Sequence, residues 1–245
     1  MSCVEDAFRA LVQDGETGRV LRMLEEGTLT PADLLQKDAD GRTLLHHVAT
    51  IPGPQAVELL ELLLARNARV NTHDEAGFTP LISASSAGNL AAVSRLLDAK
   101  AKIDDETEAG RTALFYAASK NHVDVARLLL QRGATVDFMD ERNETPLFRA
   151  VVNREDPTMC QLLLEEGAKV NVRNREGNTP LHLSVDEGLL GMTRTLLEEG
   201  AKFMKNNGDQ TPEDVAKTPE MRELLAQWKA EHGGGSAGSS ARATR

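Results

Sequence analysis

The feature that most constrains this chain is a short word that keeps returning. Thr79-Pro80-Leu81, Thr145-Pro146-Leu147, Thr179-Pro180-Leu181 and Thr211-Pro212 recur, and Thr43-Leu44-Leu45 and Thr112-Ala113-Leu114 fill the remaining places. From Thr43 onward the successive threonines lie 36, 33, 33, 34 and 32 residues apart. Such a period marks an array of small units, each too thin to bury its apolar face without a neighbour. The word reads as a helix start, because proline sits well in a first turn where its missing N–H is no loss. The core of an array grows along one axis, so 245 residues need not divide as an ordinary globular chain would.

With His46 and His182 after the leucines, the word becomes Thr-Leu-Leu-His and Thr-Pro-Leu-His. At this period that is similar to the ankyrin signature. The expected fold is therefore all-α: an ankyrin-repeat solenoid of about seven helix-turn-helix units with β-turn fingers, a single domain over 1–232. An N-terminal cap, 4–36, pairs a helix through Val4, Ala7, Phe8, Leu11 and Val12 with another through Val20, Leu21, Met23 and Leu24. Gly15 and Gly18 are expected between these helices and Gly27 at the end of the second. Five units follow at 37–72, 73–105, 106–137, 138–172 and 173–205. Ile51-Pro52-Gly53-Pro54 lengthens the first of them. Gly133, Gly167 and Gly200 fall where an outer helix must stop in the left-handed conformation, and Lys100 and Asn67 hold that place elsewhere. The last unit, 206–232, keeps Thr211-Pro212 but has Glu213 for the leucine. Met221, Leu224, Leu225 and Trp228 give it a final apolar face, so it reads as a C-terminal cap. The Gly/Ser/Ala/Arg composition of 233–245 predicts a disordered tail.

Composition narrows the function. Formal net charge is −10, and aromatic residues make up 3% of the chain, which argues against phosphate backbones and against platforms for stacked bases. The expected partner is a protein, with no nucleic acid and no membrane, bound by a monomer. No apolar run is long enough to span a bilayer, and no secretory leader is evident at the N-terminus. Cys3 and Cys160 form no CxxC pair and read as reduced thiols of a cytoplasmic and nuclear protein.

No chemistry-bearing constellation emerges. The six histidines, His46, His47, His73, His122, His182 and His232, make no zinc-binding pattern. His46 and His182 are expected to hydrogen-bond backbone in a neighbouring turn. Cys160 lies in an apolar stretch and reads as a core residue. No phosphate-cradling or nucleophile-elbow motif occurs, and Asn143-Glu144-Thr145 is a chance sequon. No catalytic residue, metal or cofactor is expected.

The residues flanking each threonine vary from unit to unit, and stacking would bring them into one concave face. They are Asp40 and Arg42; Glu75 and Phe78; Glu108 and Arg111; Glu141, Arg142 and Glu144; and Arg175, Glu176 and Asn178. Ser86, Lys120, Asn153, Asp186 and Glu187 stand at the ends of the inner helices. A row of mixed charge with one aromatic reads as a protein-docking surface, with Phe78 or Arg42 as anchor.

Several non-consensus words carry a narrower resemblance. Asp74-Glu75-Ala76-Gly77-Phe78-Thr79-Pro80-Leu81, Ser83-Ala84-Ser85-Ser86-Ala87-Gly88, Ala117-Ala118-Ser119-Lys120-Asn121 and Glu176-Gly177-Asn178-Thr179-Pro180-Leu181-His182-Leu183 resemble the gankyrin family, ankyrin-repeat assembly chaperones of the proteasome's regulatory particle. The resemblance covers 1–230. It implies a non-enzymatic chaperone that grips the C-terminal domain of one base ATPase subunit and keeps it from premature contact with the 20S core. On matching positions the contacts would be Asp40, Arg42, Glu75, Phe78, Lys120, Asp186 and Glu187, with Phe78 in place of a tryptophan. The family's LxCxE word, tied to retinoblastoma-protein binding, is broken here: Leu183 and Glu187 remain, but Val185 replaces the cysteine. The rival readings are an ankyrin inhibitor of a cyclin-dependent kinase and a scaffold for an unrelated partner.

Overall fold

The computed structural model describes residues 3–12, 16–152 and 157–232. They form thirteen α-helices and one 3-10 turn, with no strand among the described residues. Helices come in pairs, the inner one shorter than the outer from α3 onward: α1 (Cys3–Val12) with α2 (Thr17–Glu25), α3 (Leu44–Thr50) with α4 (Pro54–Ala65), α5 (Pro80–Ala87) with α6 (Leu90–Asp98), α7 (Ala113–Ser119) with α8 (Val123–Gln131), α9 (Pro146–Val151) with α10 (Thr158–Glu165), and α11 (Pro180–Asp186) with α12 (Leu190–Glu198). A last helix, α13 (Pro219–His232), follows. The chain divides into two compact units, Met1–Lys169 and Val170–Arg245. In the first, α3, α5, α7 and α9 stack as an inner row and α2, α4, α6, α8 and α10 as an outer row.

The core is aliphatic. Leu44, Leu45, Leu59, Leu60 and Leu63 are buried, and so are Leu81, Ile82, Leu96, Leu114, Leu129, Leu147 and Phe148. Alanines at Ala84, Ala117, Ala118 and Ala150 sit at zero exposure and let neighbouring helices approach closely. Cys160 is buried among these groups, and burial pushes its thiol up to about 12, well away from reactivity.

Four of the recurring threonines, Thr43, Thr79, Thr112 and Thr179, cap the inner helices, whereas the buried Thr145 hydroxyl makes no such bond. Thr79 Oγ1 accepts from Ile82 N at 3.2 Å, and Thr112 Oγ1 from Phe115 N at 3.4 Å. Where histidine follows, it completes a capping box: Thr43 N donates to His46 Nδ1, and Thr179 N to His182 Nδ1, each at 3.1 Å. The other ring nitrogens reach carbonyls one turn along, Nε2 of His46 to Phe78 O at 3.0 Å and Nε2 of His182 to Gln210 O at 3.1 Å. Both histidines thus do what the sequence leads one to expect. An accepting Nδ1 and a donating Nε2 require the neutral ring.

Outer-helix ends also follow expectation. Gly27, Gly133, Gly167 and Gly200 all have positive φ, as do Asn67 at 63° and Lys100 at 67°. Four residues later, Asn71, Asp104 and Asp137 in the first unit each accept a backbone N–H from the next loop, that of Lys102, Thr135 and Lys169. Asn171 does the same for Lys202 in the second unit.

Both ends depart from the simple reading. Gly18 lies inside α2 and not between helices, because Thr17 opens the helix and buries itself there; Gly15 falls outside the described residues. In the last unit the inner helix is missing. Residues 212–215 form turns, and Asp214 takes both the N–H and the hydroxyl of Thr211 at 2.8 and 2.7 Å. That carboxylate occupies the group which elsewhere caps a helix, and Glu213 offers no apolar anchor. The expected unit of two helices is therefore a turn and α13. Trp228, the single tryptophan, stacks on His232 within α13 with ring centroids 3.9 Å apart. The tail 233–245 and Asn153 lie outside the described residues.

Burial lowers the pKa of His46 to about 4, and burial also lowers that of His182. The unfolded chain then binds more protons than the folded one between about pH 4 and 6.5. Stability is complete above that window and falls as the pH drops through it, by on the order of 3 kcal/mol for His46. Urea midpoints read by circular dichroism at pH 7 and pH 4.5 check this, and His46→Gln should flatten the difference.

Candidate protein-binding surface

Each threonine is preceded by a tight finger. In the first unit Gly41 N donates to Asp38 O, Gly77 N to Asp74 O, Gly110 N to Thr107 O and Asn143 N to Asp140 O. The residue five places before the threonine holds the finger with its side chain. Asp74 Oδ1 accepts from Ala76 N and Phe78 N at 3.0 and 2.8 Å, and Asp140 Oδ1 from Arg142 N and Glu144 N at 2.8 and 3.0 Å. A short polar side chain that can bond its own backbone two residues on is what such a turn requires.

Successive fingers are joined backbone to backbone. Glu75 N donates to Asp40 O at 3.0 Å, Glu108 N to Ala76 O at 3.1 Å and Glu141 N to Ala109 O at 3.1 Å. In the second unit Asn207 N donates to Glu176 O at 3.0 Å. The approach leaves no space at Gly77, where a Cβ would lie 2.7 Å from Glu108 N and φ is +81°.

Arginine clamps the same junctions. Arg42 Nε donates to Asp74 Oδ2 at 3.0 Å, and Arg111 Nε to Asp140 Oδ2 at 3.1 Å. The acceptor side chains are 3% and 1% exposed, the arginines 37% and 31%. Burial alone would lower the Arg111 pKa; the Asp140 carboxylate outweighs it and raises the value. Asn206 and Asn178 make a neutral version of this pair in the second unit, Nδ2 to Oδ1 at 2.8 Å. Arg42 and Arg111 thus spend at least one donor inside the molecule.

The other expected site residues fall into two sets. Asp40, Glu75, Lys120, Glu141 and Arg142 are exposed in the first unit, with Glu108 beside them. Phe78 is half-buried and meets Tyr116, ring centroids 4.9 Å apart. Tyr116 in turn touches Phe115, whose ring lies 5.1 Å under the Arg111 guanidinium. In the second unit Arg175 and Glu187 are exposed, while Asp186 is paired with Lys217 at 2.7 Å. The first unit therefore presents a half-buried aromatic pair together with exposed charges of both signs.

Sequence reading overlooked Asp74 and Asp140 as the groups that hold the fingers, and Tyr116 as the partner of Phe78. A signal was present. Asp, Asn or Thr stands five residues before each of the six recurring threonines, Thr43, Thr79, Thr112, Thr145, Thr179 and Thr211, and arginine precedes Thr43 and Thr112 just where the following finger carries aspartate. Tyr116 lies four residues after Thr112, the place held by His47, Ser83, Arg149 and Leu183 in the other inner helices.

No group of three or more His, Cys, Asp or Glu that could hold a metal gathers among the described residues. No helix among them is long and apolar enough to cross a membrane.

Fold and surface together define a helical-repeat scaffold for binding protein. The family model for ankyrin repeats matches residues 7–107, 45–140 and 133–207, and the chain belongs to that family. Over 71 residues it is 42% identical to the "Probable 26S proteasome regulatory subunit p28" of Saccharomyces cerevisiae, a match spanning 28% of this chain and 30% of that protein. Among solved structures it is similar to the ankyrin repeat domain of Bcl-3, described as a unique member of the IkappaB protein family. The TM-score is 0.73 with 28% identity, over 90% of this chain and 97% of that one.

Removing Arg111 strands a buried carboxylate, so Arg111→Ala should cost about 1–3 kcal/mol. Asp140→Asn, which keeps the acceptor for Arg142 N and Glu144 N, should cost less than Asp140→Ala. A double-mutant cycle in urea should return a coupling energy between Arg111 and Asp140 of about 1 kcal/mol or more. Gly77→Ala should destabilise by a similar amount, measured the same way.

Proposed function

We propose that this chain is a non-enzymatic assembly chaperone of the proteasome's regulatory particle. It binds the C-terminal domain of a base ATPase subunit in the cytoplasm and nucleus and holds it away from the 20S core. The observation that carries the proteasomal part is the 42% identity to the yeast p28 segment, which agrees with the non-consensus words around Phe78, Lys120 and Asn178. The geometry supports the mode of binding. Fingers held by Asp74, Thr107 and Asp140 and joined through backbone amides offer Glu75, Glu108, Glu141 and Arg142, with Lys120 at the end of α7, on a support that needs little ordering on association. The Phe78–Tyr116 pair supplies apolar area among those charges, which set orientation and association rate.

Affinity capture from lysate with the full chain should retain base ATPases and not 20S subunits. Binding to the purified ATPase C-terminal domain should weaken at least tenfold in Phe78→Ala combined with Lys120→Glu, with the circular dichroism unchanged. Arg42→Glu is a poor test, because it sets a carboxylate against buried Asp74 and would unfold the finger. Retention of a cyclin-dependent kinase in place of the ATPases, or equal binding by the double variant, refutes the proposal.

A further inference from the structure

One junction in the first unit is built differently from the rest. Eight residues before Thr79, Thr112, Thr145 and Thr179 stand Asn71, Asp104, Asp137 and Asn171, and each takes a backbone N–H from the following loop. Eight residues before Thr43 stands Leu35, which has no group to accept one. The loop leading to it is also longer: sixteen residues separate Gly27 from Thr43, against twelve from Asn67 to Thr79 and from Gly133 to Thr145.

The extra residues are firmly held. Asp33 Oδ2 accepts from Thr30 N and Thr30 Oγ1, both at 2.7 Å, and Gln36 Nε2 donates to Asp33 Oδ1 at 3.2 Å. Thr28 Oγ1 donates to Met23 O at 2.8 Å, and Leu29 and Leu34 are anchored in the core. With loop and helix end both fixed, the junction, tied to the next loop by Lys37 Nζ on His73 O at 2.6 Å but lacking the Asn or Asp acceptor of the others, opens as a preformed surface pocket of about 590 Å³. Leu29, Pro31 and Leu35 form its apolar wall, and Gly27, Arg66 and Asn67 line it as well. Leu35 is 44% exposed. Arg66 is the charged residue in the lining, on a chain of formal net charge −10. The nearby Asp33 charge is already met by the Thr30 and Gln36 donors.

We propose that this pocket is a second protein-docking site, which takes a short partner segment carrying an aliphatic side chain next to a carboxylate. The aliphatic group covers Leu35 and Pro31, and the carboxylate meets the Arg66 guanidinium. An apolar socket with one cationic contact selects an acidic-aliphatic segment over a basic one, because a lysine or arginine at the mouth would face Arg66. The pocket shares no residue with the finger surface, so a client there and a segment here can be held together.

The probe is an acetylated, amidated peptide of alternating leucine and aspartate, titrated at millimolar concentration into the isotope-labelled full chain and followed by amide NMR shifts. Expected are saturable shifts centred on Leu29, Leu35, Arg66 and Asn67. Leu35→Asn, which installs the residue type of the other junctions, should weaken binding at least tenfold. Arg66→Gln should weaken the aspartate peptide several-fold but leave its asparagine analogue unchanged. Circular dichroism should be wild-type in both variants, and because Leu35 is exposed a loss of fold is not expected. No shifts at these amides, shifts centred on the finger residues, or equal affinity of wild type and Leu35→Asn would each overturn the proposal.

Discussion

The structure rests on one kind of contact: a short acidic or amide side chain bonded to its own turn. Asp74 and Asp140 each accept two backbone N–H groups, and those bonds fix the finger in the shape that lets the next backbone reach it. Without that shape Glu108 N would not meet Ala76 O, nor Glu141 N meet Ala109 O. The helices alone would not impose this register. Inner helices of six to eight residues are too short to be stable in isolation and take their order from capping and packing. Threonine capping, finger geometry and aliphatic stacking are therefore mutually dependent, which is the condition for cooperative folding of repeats.

This arrangement separates support from display. Arg42 and Arg111, although charged and partly exposed, turn toward buried carboxylates and belong mainly to the support. The glutamates one place after the finger's first residue, Glu75, Glu108 and Glu141, point outward with no such duty in the hydrogen-bond pattern of their turns beyond the main-chain link. A partner therefore meets side chains whose backbone is already fixed, and its selectivity can change by substitution at these places without altering the stack.

The period made the fold legible. Threonine spacing gave the helix pairs, and left-handed glycines marked the outer-helix ends because few other residues adopt positive φ without strain. The capping histidines were legible for the same reason: their role is local. What the sequence concealed was non-local or context-dependent. Whether Arg42 faces a partner or Asp74 depends on the residue 32 places on, and period counting alone does not weigh that pairing. The missing inner helix of the last unit turned on Asp214 competing for Thr211, a local rival that the threonine-proline word masked. Tyr116 was overlooked because an aromatic in an alanine-rich helix reads as core until its neighbour Phe78 is placed beside it.

The solitary indole of the chain stands at the far end, stacked face to face on the His232 ring in α13. Its emission consequently reports the electronic surroundings of one helix in the second compact unit. An optical melt of this chain followed at the indole wavelength would time the loosening of α13, whereas the order of the first unit is followed through the peptide backbone and through Tyr116, the single tyrosine.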